Sequence, residues 1–127
     1  MNFSQDTDES GTQIHSYTDD YFVINQSKYD NHSQIHHSGF VQPWLPGKIS
    51  QLSLDDFKAL LSFKPDVIIL GTGNKLKFPN NELRRELSRL NIGLEVMDTG
   101  AACRTYNILL SEGRNVAAAI LLLKTEV

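Results

Sequence analysis

The stretch LEVMDTGAACRTYNILLSEGRNVAAAILLL, residues 94–123, decides the fold. Turn formers interrupt it twice, at Asp98-Thr99-Gly100 and at Gly113-Arg114-Asn115, so it divides into strand, helix and strand. The helix begins at Asp98 or Thr99, either of which can accept a backbone N–H of its first turn. Ala102, Tyr106, Leu109 and Leu110 give it an apolar stripe, and Gly113 is placed to end it in a left-handed conformation. Val116–Leu123 follows as the longest unbroken apolar run in the chain. Ala117–Ala119 would also tolerate a helix, but eight residues after Gly113 suit a strand better.

Working outward, Val67-Ile68-Ile69-Leu70 is a short apolar strand of the sort buried on both faces. Gly71-Thr72-Gly73-Asn74-Lys75 turns the chain. A helix over Asn81–Leu90 follows, with Leu83, Leu87 and Leu90 on one face and Asn91 ending it. Gly93 then leads into Leu94–Met97. Strand, helix, strand is a βαβ unit, so these two strands are expected to be parallel with a right-handed crossover. Upstream, Leu52–Leu61 reads as a helix with Ser53 as cap, Asp56 at the capping-box position and Leu52 able to pack on Phe57; Lys64-Pro65-Asp66 stops it. Phe40-Val41 is a strand entering the loop Pro43-Trp44-Leu45-Pro46-Gly47, with Trp44 as a packing anchor. Between Ile14 and Ile24 the β-formers Tyr17, Tyr21, Phe22, Val23 and Ile24 flank a turn at Asp19-Asp20; Asn25-Gln26-Ser27 makes a second turn before Tyr29. Residues 1–13 are polar and are expected to be a disordered arm, leaving 14–127 as one α/β domain.

A chain of 127 residues is long enough to bury one core without staples. Its net charge of −3 argues against an electrostatic nucleic-acid binder, although Lys75, Lys77, Arg84, Arg85 and Arg89 could form a local basic patch. The single cysteine, Cys103, forms no internal disulfide. The N-terminus has no basic and apolar regions of a secretory signal, and Asp6, Asp8 and Glu9 are unlike a mitochondrial transit peptide. Val116–Leu123 is too short to cross a bilayer. A cytoplasmic protein without stable membrane insertion is the expectation.

Gly71-Thr72-Gly73, then Glu95–Asn107, then Glu112-Gly113-Arg114 and Val116–Ala119, resemble a domain-of-unknown-function family. That family includes mitochondrial complex I assembly factor 3 and an adipogenesis-associated protein, alongside small bacterial proteins. The pattern covers roughly residues 14–123 and is most specific from Val67 onward; Tyr29–His37 departs from it, relatives being more apolar and glycine-containing there. The resemblance implies a three-layer α/β sandwich with a central mixed sheet, a βαβ-containing C-terminal half and a small N-terminal antiparallel β unit. It implies no established enzymatic activity for the bacterial members, and an assembly role for the eukaryotic ones that need not follow a shared fold.

Individual motifs carry little chemistry alone. Gly71-Thr72-Gly73 follows a strand as a dinucleotide-binding turn would, yet lacks a third glycine and an immediate helix; a sharp turn at the sheet edge explains it as well. Asp98-Thr99-Gly100 matches the aspartic-protease triplet, but that chemistry needs two aspartates sharing a proton, and a helix cap accounts for the aspartate. Cys103 is the only candidate thiol nucleophile and reads better as a small buried residue. Arg104 could position an anion, or pair with Glu112 or an acid elsewhere. His32, His36 and His37 lack acidic or cysteine neighbours at tight metal-ligand spacing, apart from nearby Asp30, and read as structural histidines.

What joins the motifs is topology. If the strands 67–70 and 94–97 are parallel, Gly71, Thr72, Gly73, Asn74 and Lys75 emerge at the same carboxyl edge as Asp98, Thr99, Gly100 and Arg104. Open α/β sheets bind ligands at that edge. These nine residues are the expected ligand or interaction cleft, with no catalytic residue, metal or cofactor assigned. The leading functional reading is a non-enzymatic interaction or assembly-assisting module with other proteins as partners. The alternative is an enzyme or a small-molecule or anion binder using the cleft. An exposed apolar patch favours the first; a concave polar cleft including Asp98 and Arg104 favours the second.

Overall fold

The computed structural model describes residues 12–125. In chain order its strands are β1 (Ile14–Tyr17), β2 (Phe22–Ile24), β3 (Ser27–Tyr29), β4 (Ser33–His36), β5 (Val41–Pro43), β6 (Val67–Gly71), β7 (Gly93–Met97) and β8 (Val116–Ile120). The α-helices are α1 (Lys58–Leu61), α2 (Asn81–Arg89) and α3 (Thr99–Ser111). The first three strands form a small antiparallel sheet, and the other five a mixed sheet in the order β5-β4-β8-β6-β7. β8 is parallel to β6 and antiparallel to β4, so it joins the βαβ half to the β4–β5 hairpin.

The expected βαβ unit is present: β6 and β7 are parallel, with Val67 opposite Gly93 and Gly71 opposite Met97. From β7 the chain returns across β6 to lay down β8 on the other side. Right-handed crossovers in opposite directions put their helices on opposite faces of the sheet. Accordingly, Leu83 and Leu87 of α2 pack with Ile68, Leu70, Ala117, Ala119 and Leu121, in a core shared with Trp44, Phe57 and Leu60. On the other face Ala102, Cys103 and Tyr106 of α3 pack with Val67, Ile69, Ala118 and Ile120. Ile14, Phe22 and Ile24 of the small sheet complete that second core. All five residues of β6 and of β8 are buried, which is why both segments are apolar without alternation.

The local signals mark most boundaries. Asn80 caps α2, its Oδ1 accepting the Leu83 N–H at 3.0 Å. Asn91, at φ 63, turns the chain after α2, and Gly113, at φ 76, does so after α3. The Asp19-Asp20 turn joins β1 to β2 with Tyr17 opposite Phe22. Trp44 is buried against the Phe57 ring, at a centroid distance of 5.7 Å.

Four expectations need correction. The segment 52–61 is a 3-10 turn over Leu54–Phe57 running into only one α-helical turn, Lys58–Leu61. Asp56 Oδ2 does accept the Ser53 N–H at 2.9 Å, but Lys64, at φ 49 before Pro65, ends the element before propagation can offset nucleation. Leu90 is 49% exposed because α2 stops at Arg89, and Ile92 takes the core position instead. β8 ends at Ile120, where the Leu121 N–H donates to the Gly71 carbonyl at 3.0 Å and pulls the chain across the end of β6. Finally, most of the expected arm lies outside the described residues, but its last two members belong to the body. The buried Thr12 hydroxyl donates to the His36 carbonyl at 2.8 Å and also meets the Tyr106 hydroxyl, and the Gln13 carbonyl accepts the Asn25 N–H.

The two outer strands of the mixed sheet are treated differently. β5 ends in Pro43, which lacks an N–H. On β7 the Leu94 carbonyl is taken by Arg84 of α2, whose Nη1 donates to it at 2.6 Å.

Gly71 marks the closest approach of helix and sheet. A Cβ built there would stand 3.0 Å from Ala102 Cβ, 3.0 Å from Ile120 Cγ2 and 3.1 Å from Thr99 Cα. Gly71→Ala is therefore expected to cost about 1–3 kcal/mol by overpacking, read as a lower urea midpoint at unchanged slope. Gly47→Ala, where nothing lies within 4 Å, should be neutral or slightly stabilising in the same assay.

Candidate functional site at the carboxyl edge

The two loops named from the sequence do meet at the carboxyl edge of β6 and β7. They meet through their own hydrogen bonds. The Gly73 N–H donates to Thr99 Oγ1 at 2.8 Å, the Thr99 N–H donates back to the Gly73 carbonyl at 2.8 Å, and the Thr72 N–H donates to the Met97 carbonyl at 3.0 Å. The Thr99 hydroxyl passes its own proton to the Leu121 carbonyl at 2.6 Å, which brings the end of β8 into the same knot. Gly71, Thr72, Gly73, Thr99 and Gly100 are buried; Asn74, Lys75, Asp98 and Arg104 are exposed. Gly73 stands at φ +92, and a Cβ there would lie 2.9 Å from the Thr125 carbonyl. Its glycine serves a left-handed turn beneath the C-terminal segment.

Asp98 is the N-cap of α3: its Oδ1 accepts the Ala101 N–H at 2.9 Å, while Thr99 is the first helical residue and faces inward. Arg104 does not pair with Glu112. Its Nη1 donates to the Tyr17 hydroxyl at 2.7 Å, bridging α3 to β1. Gly100 makes room for this bridge, since a Cβ there would meet Arg104 Nη1 and the Tyr17 ring, both at 3.4 Å. Cys103 is 1% exposed, and burial pushes its thiol up to about 12 against the opposing Arg104 charge. At neutral pH it is a protonated, poorly nucleophilic packing residue.

His32 and His36 are held by hydrogen bonds in structural roles. His36 is buried; its Nε2 donates to Asn115 Oδ1 at 2.7 Å and its Nδ1 accepts the Ser38 N–H at 3.2 Å. Asn115 is oriented in turn by donating to the Lys64 carbonyl at 3.1 Å, and the His36 ring stacks on Phe63. His32 Nδ1 accepts the Leu122 N–H at 3.0 Å. Both rings have a lowered pKa: burial alone in His32, and in His36 burial, opposed by the Asn115 hydrogen bond and assisted by the His37 charge.

Sequence reasoning missed a second surface. The β6–α2 loop continues from Lys75 into Leu76, 51% exposed, and Phe78, 63% exposed. Lys77 and Phe78 share a hollow of about 340 Å³ with Lys48, Ile49 and Ser50. The available signal was the alternation Lys75-Leu76-Lys77-Phe78 before Pro79, which fits neither a core helix nor a turn.

Comparison with known proteins gives the geometry a setting. The family described as protein of unknown function (DUF498/DUF598) matches residues 14–121. An assembly factor 3 of the NADH dehydrogenase [ubiquinone] 1 alpha subcomplex from Danio rerio is 33% identical over 114 residues, covering 88% of this chain and 65% of the relative. The chain thus spans just under two thirds of that protein, and 60% of its Xenopus tropicalis counterpart. A 13 kDa major membrane protein of Francisella tularensis is 28% identical over 107 residues, covering 83% of this chain and 86% of the relative. A crystal structure of a Bordetella parapertussis protein superposes with a TM-score of 0.81 at 30% identity, covering 91% of this chain and 99% of that one.

The cap and the knot make distinct predictions. Asp98→Ala should cost about 1 kcal/mol in thermal or urea melts, and Asp98→Asn, which keeps the acceptor, clearly less. Thr99→Val should cost more, because it removes the partner of two buried backbone groups at about 1–3 kcal/mol each; Thr99→Ser, which keeps the hydroxyl, should be the milder change. For the histidines the unfolded chain titrates near the ordinary value of 6.5, whereas folded His32 and His36 bind their protons only at lower pH. Their contribution is complete above about pH 6.5 and is lost as pH falls below it. Melting temperatures measured between pH 7.5 and 5 should decline on the acid side, below the ordinary histidine value of about 6.5, and His36→Gln should flatten the decline.

Proposed function

The chain belongs to the DUF498/DUF598 family of proteins of unknown function, and from that premise we propose that it is a non-enzymatic module that helps assemble a membrane protein complex of the NADH dehydrogenase kind. The observation that carries this reading is the knot at Thr99. An enzyme or anion binder at the carboxyl edge would direct the N–H groups of Gly73 and Thr99 at its ligand. Here they are engaged with each other's loops. The Asp98 carboxylate is occupied as a cap, and the Cys103 thiol is buried and protonated. The exposed apolar residues Leu76 and Phe78 lie on a different loop surface and take no part in this argument. The assembly role comes from the relatives named as assembly factors, of which this chain matches the shared domain. In this reading its partners are proteins and it works from the cytoplasmic face of the membrane.

The test is deletion in the native organism. Membranes from the deletion strain should contain less assembled NADH dehydrogenase on native gels, and the wild-type chain and Asp98→Asn should both restore it. A deletion strain with the full amount of complex would remove the assembly role. Should Asp98→Asn be fully stable yet unable to restore function, the carboxyl edge would have to be an active site.

A further inference from the structure

The β6–α2 loop and the segment after β5 form one continuous surface. Asn80, at the end of the loop, ties them together: its side-chain amide donates to the carbonyls of Ser50 at 3.0 Å and Leu52 at 3.3 Å. Lys48, Ile49 and Ser50 therefore line the same hollow as Lys77 and Phe78. Thr72 fixes the loop from beneath. This residue is 1% exposed; its hydroxyl donates to the Lys75 carbonyl at 2.6 Å and accepts the Lys77 N–H at 3.2 Å. The loop is thus held in a shape that keeps Leu76 and Phe78 in water.

Its two segments are basic. Residues 40–54 and 67–81 carry Lys48, Lys75 and Lys77 and no aspartate or glutamate, with Asp55, Asp56, Asp66 and Glu82 just beyond their ends, in a chain whose net charge is −3. Local positive charge around projecting apolar tips is the chemistry of an anionic lipid surface, where lysines meet phosphates and the tips enter the headgroup layer. A protein partner fits less well. A stable protein interface takes about 800 Å² per partner, whereas the large apolar groups this loop exposes are Leu76 and Phe78. We propose that Leu76 and Phe78, with the exposed Lys48 and Lys75 beside them, dock the protein reversibly on an anionic membrane. No spanning helix is required, and among the described residues no helix is long and apolar enough to cross a bilayer. The surface would seat in the same way whatever the protein assembles.

Flotation of the full chain with phosphatidylglycerol–phosphatidylcholine vesicles, beside pure phosphatidylcholine vesicles, tests this. The chain should float with the anionic vesicles only, and less so as salt is raised. Lys48→Gln and Lys75→Gln should each weaken partitioning about fivefold. Phe78→Ser should weaken it about tenfold, and its melting temperature should be unchanged because the ring is exposed. No flotation with either vesicle, or flotation that these substitutions leave unchanged, overturns the proposal. So does a chain that ignores vesicles but is retained on immobilised polyglutamate, which would make an acidic protein surface the partner. Flotation is measured on purified protein, so its outcome is independent of the deletion strain's NADH dehydrogenase content.

Discussion

One hydroxyl group holds the carboxyl edge together. Thr99 Oγ1 accepts from the turn after β6 and donates to the carbonyl just past β8, while its own backbone N–H returns a bond to Gly73. Three segments far apart in sequence are thereby fixed at one point, at the start of α3. Few residues could replace it, because the position needs a donor and an acceptor on one short side chain that fits where exposure is 0%. Gly71 supports the arrangement from the neighbouring side, since only a residue without a Cβ lets α3 come this close to β6 and β8.

This closure separates the fold's architecture from its use. The carboxyl edge of an α/β sheet is a common place for ligands because loops diverge there and leave backbone N–H groups pointing outward. In this chain the loops converge and pair. Exposed polar groups remain at the rim of this edge, in Asn74, Lys75, Asp98 and Arg104, and the loop before α2 adds the exposed apolar side chains of Leu76 and Phe78. Loops of this kind vary freely around a fixed core in small domains.

The sequence carried the architecture better than the site, for a physical reason. Val67–Leu70, Leu94–Met97 and Val116–Ile120 are apolar runs punctuated by glycine, asparagine and aspartate, and such signals lie within a few residues of what they determine. The parallel pairing and the cap at Asp98 follow from them. Partners across the fold do not. That Arg104 would meet Tyr17 rather than Glu112 depends on where the small sheet lies over α3, and Thr12 looked like part of a polar tail until Tyr106 and His36 closed over it. The same limit explains Leu90: its spacing from Leu83 and Leu87 is helical, but the helix stops one residue short of it. Of the nine residues grouped at the carboxyl edge, Gly73 and Thr99 bond to each other, and five of the nine are buried, a property that spacing alone does not reveal.

The guanidinium of Arg84 over the Leu94 carbonyl has a consequence for how the protein behaves in a crowd of its own kind. A mixed sheet with two open sides is a template on which a second chain can add a strand. β5 resists by being three residues long and ending in proline, whereas β7 is five residues long and needs a chaperone of its own. Arg84 serves as that guard, occupying an acceptor that a stray strand would otherwise use and standing a charged side chain beside it. Two copies meeting edge to edge at β7 therefore find one of its outward acceptors already taken, which weighs against their pairing.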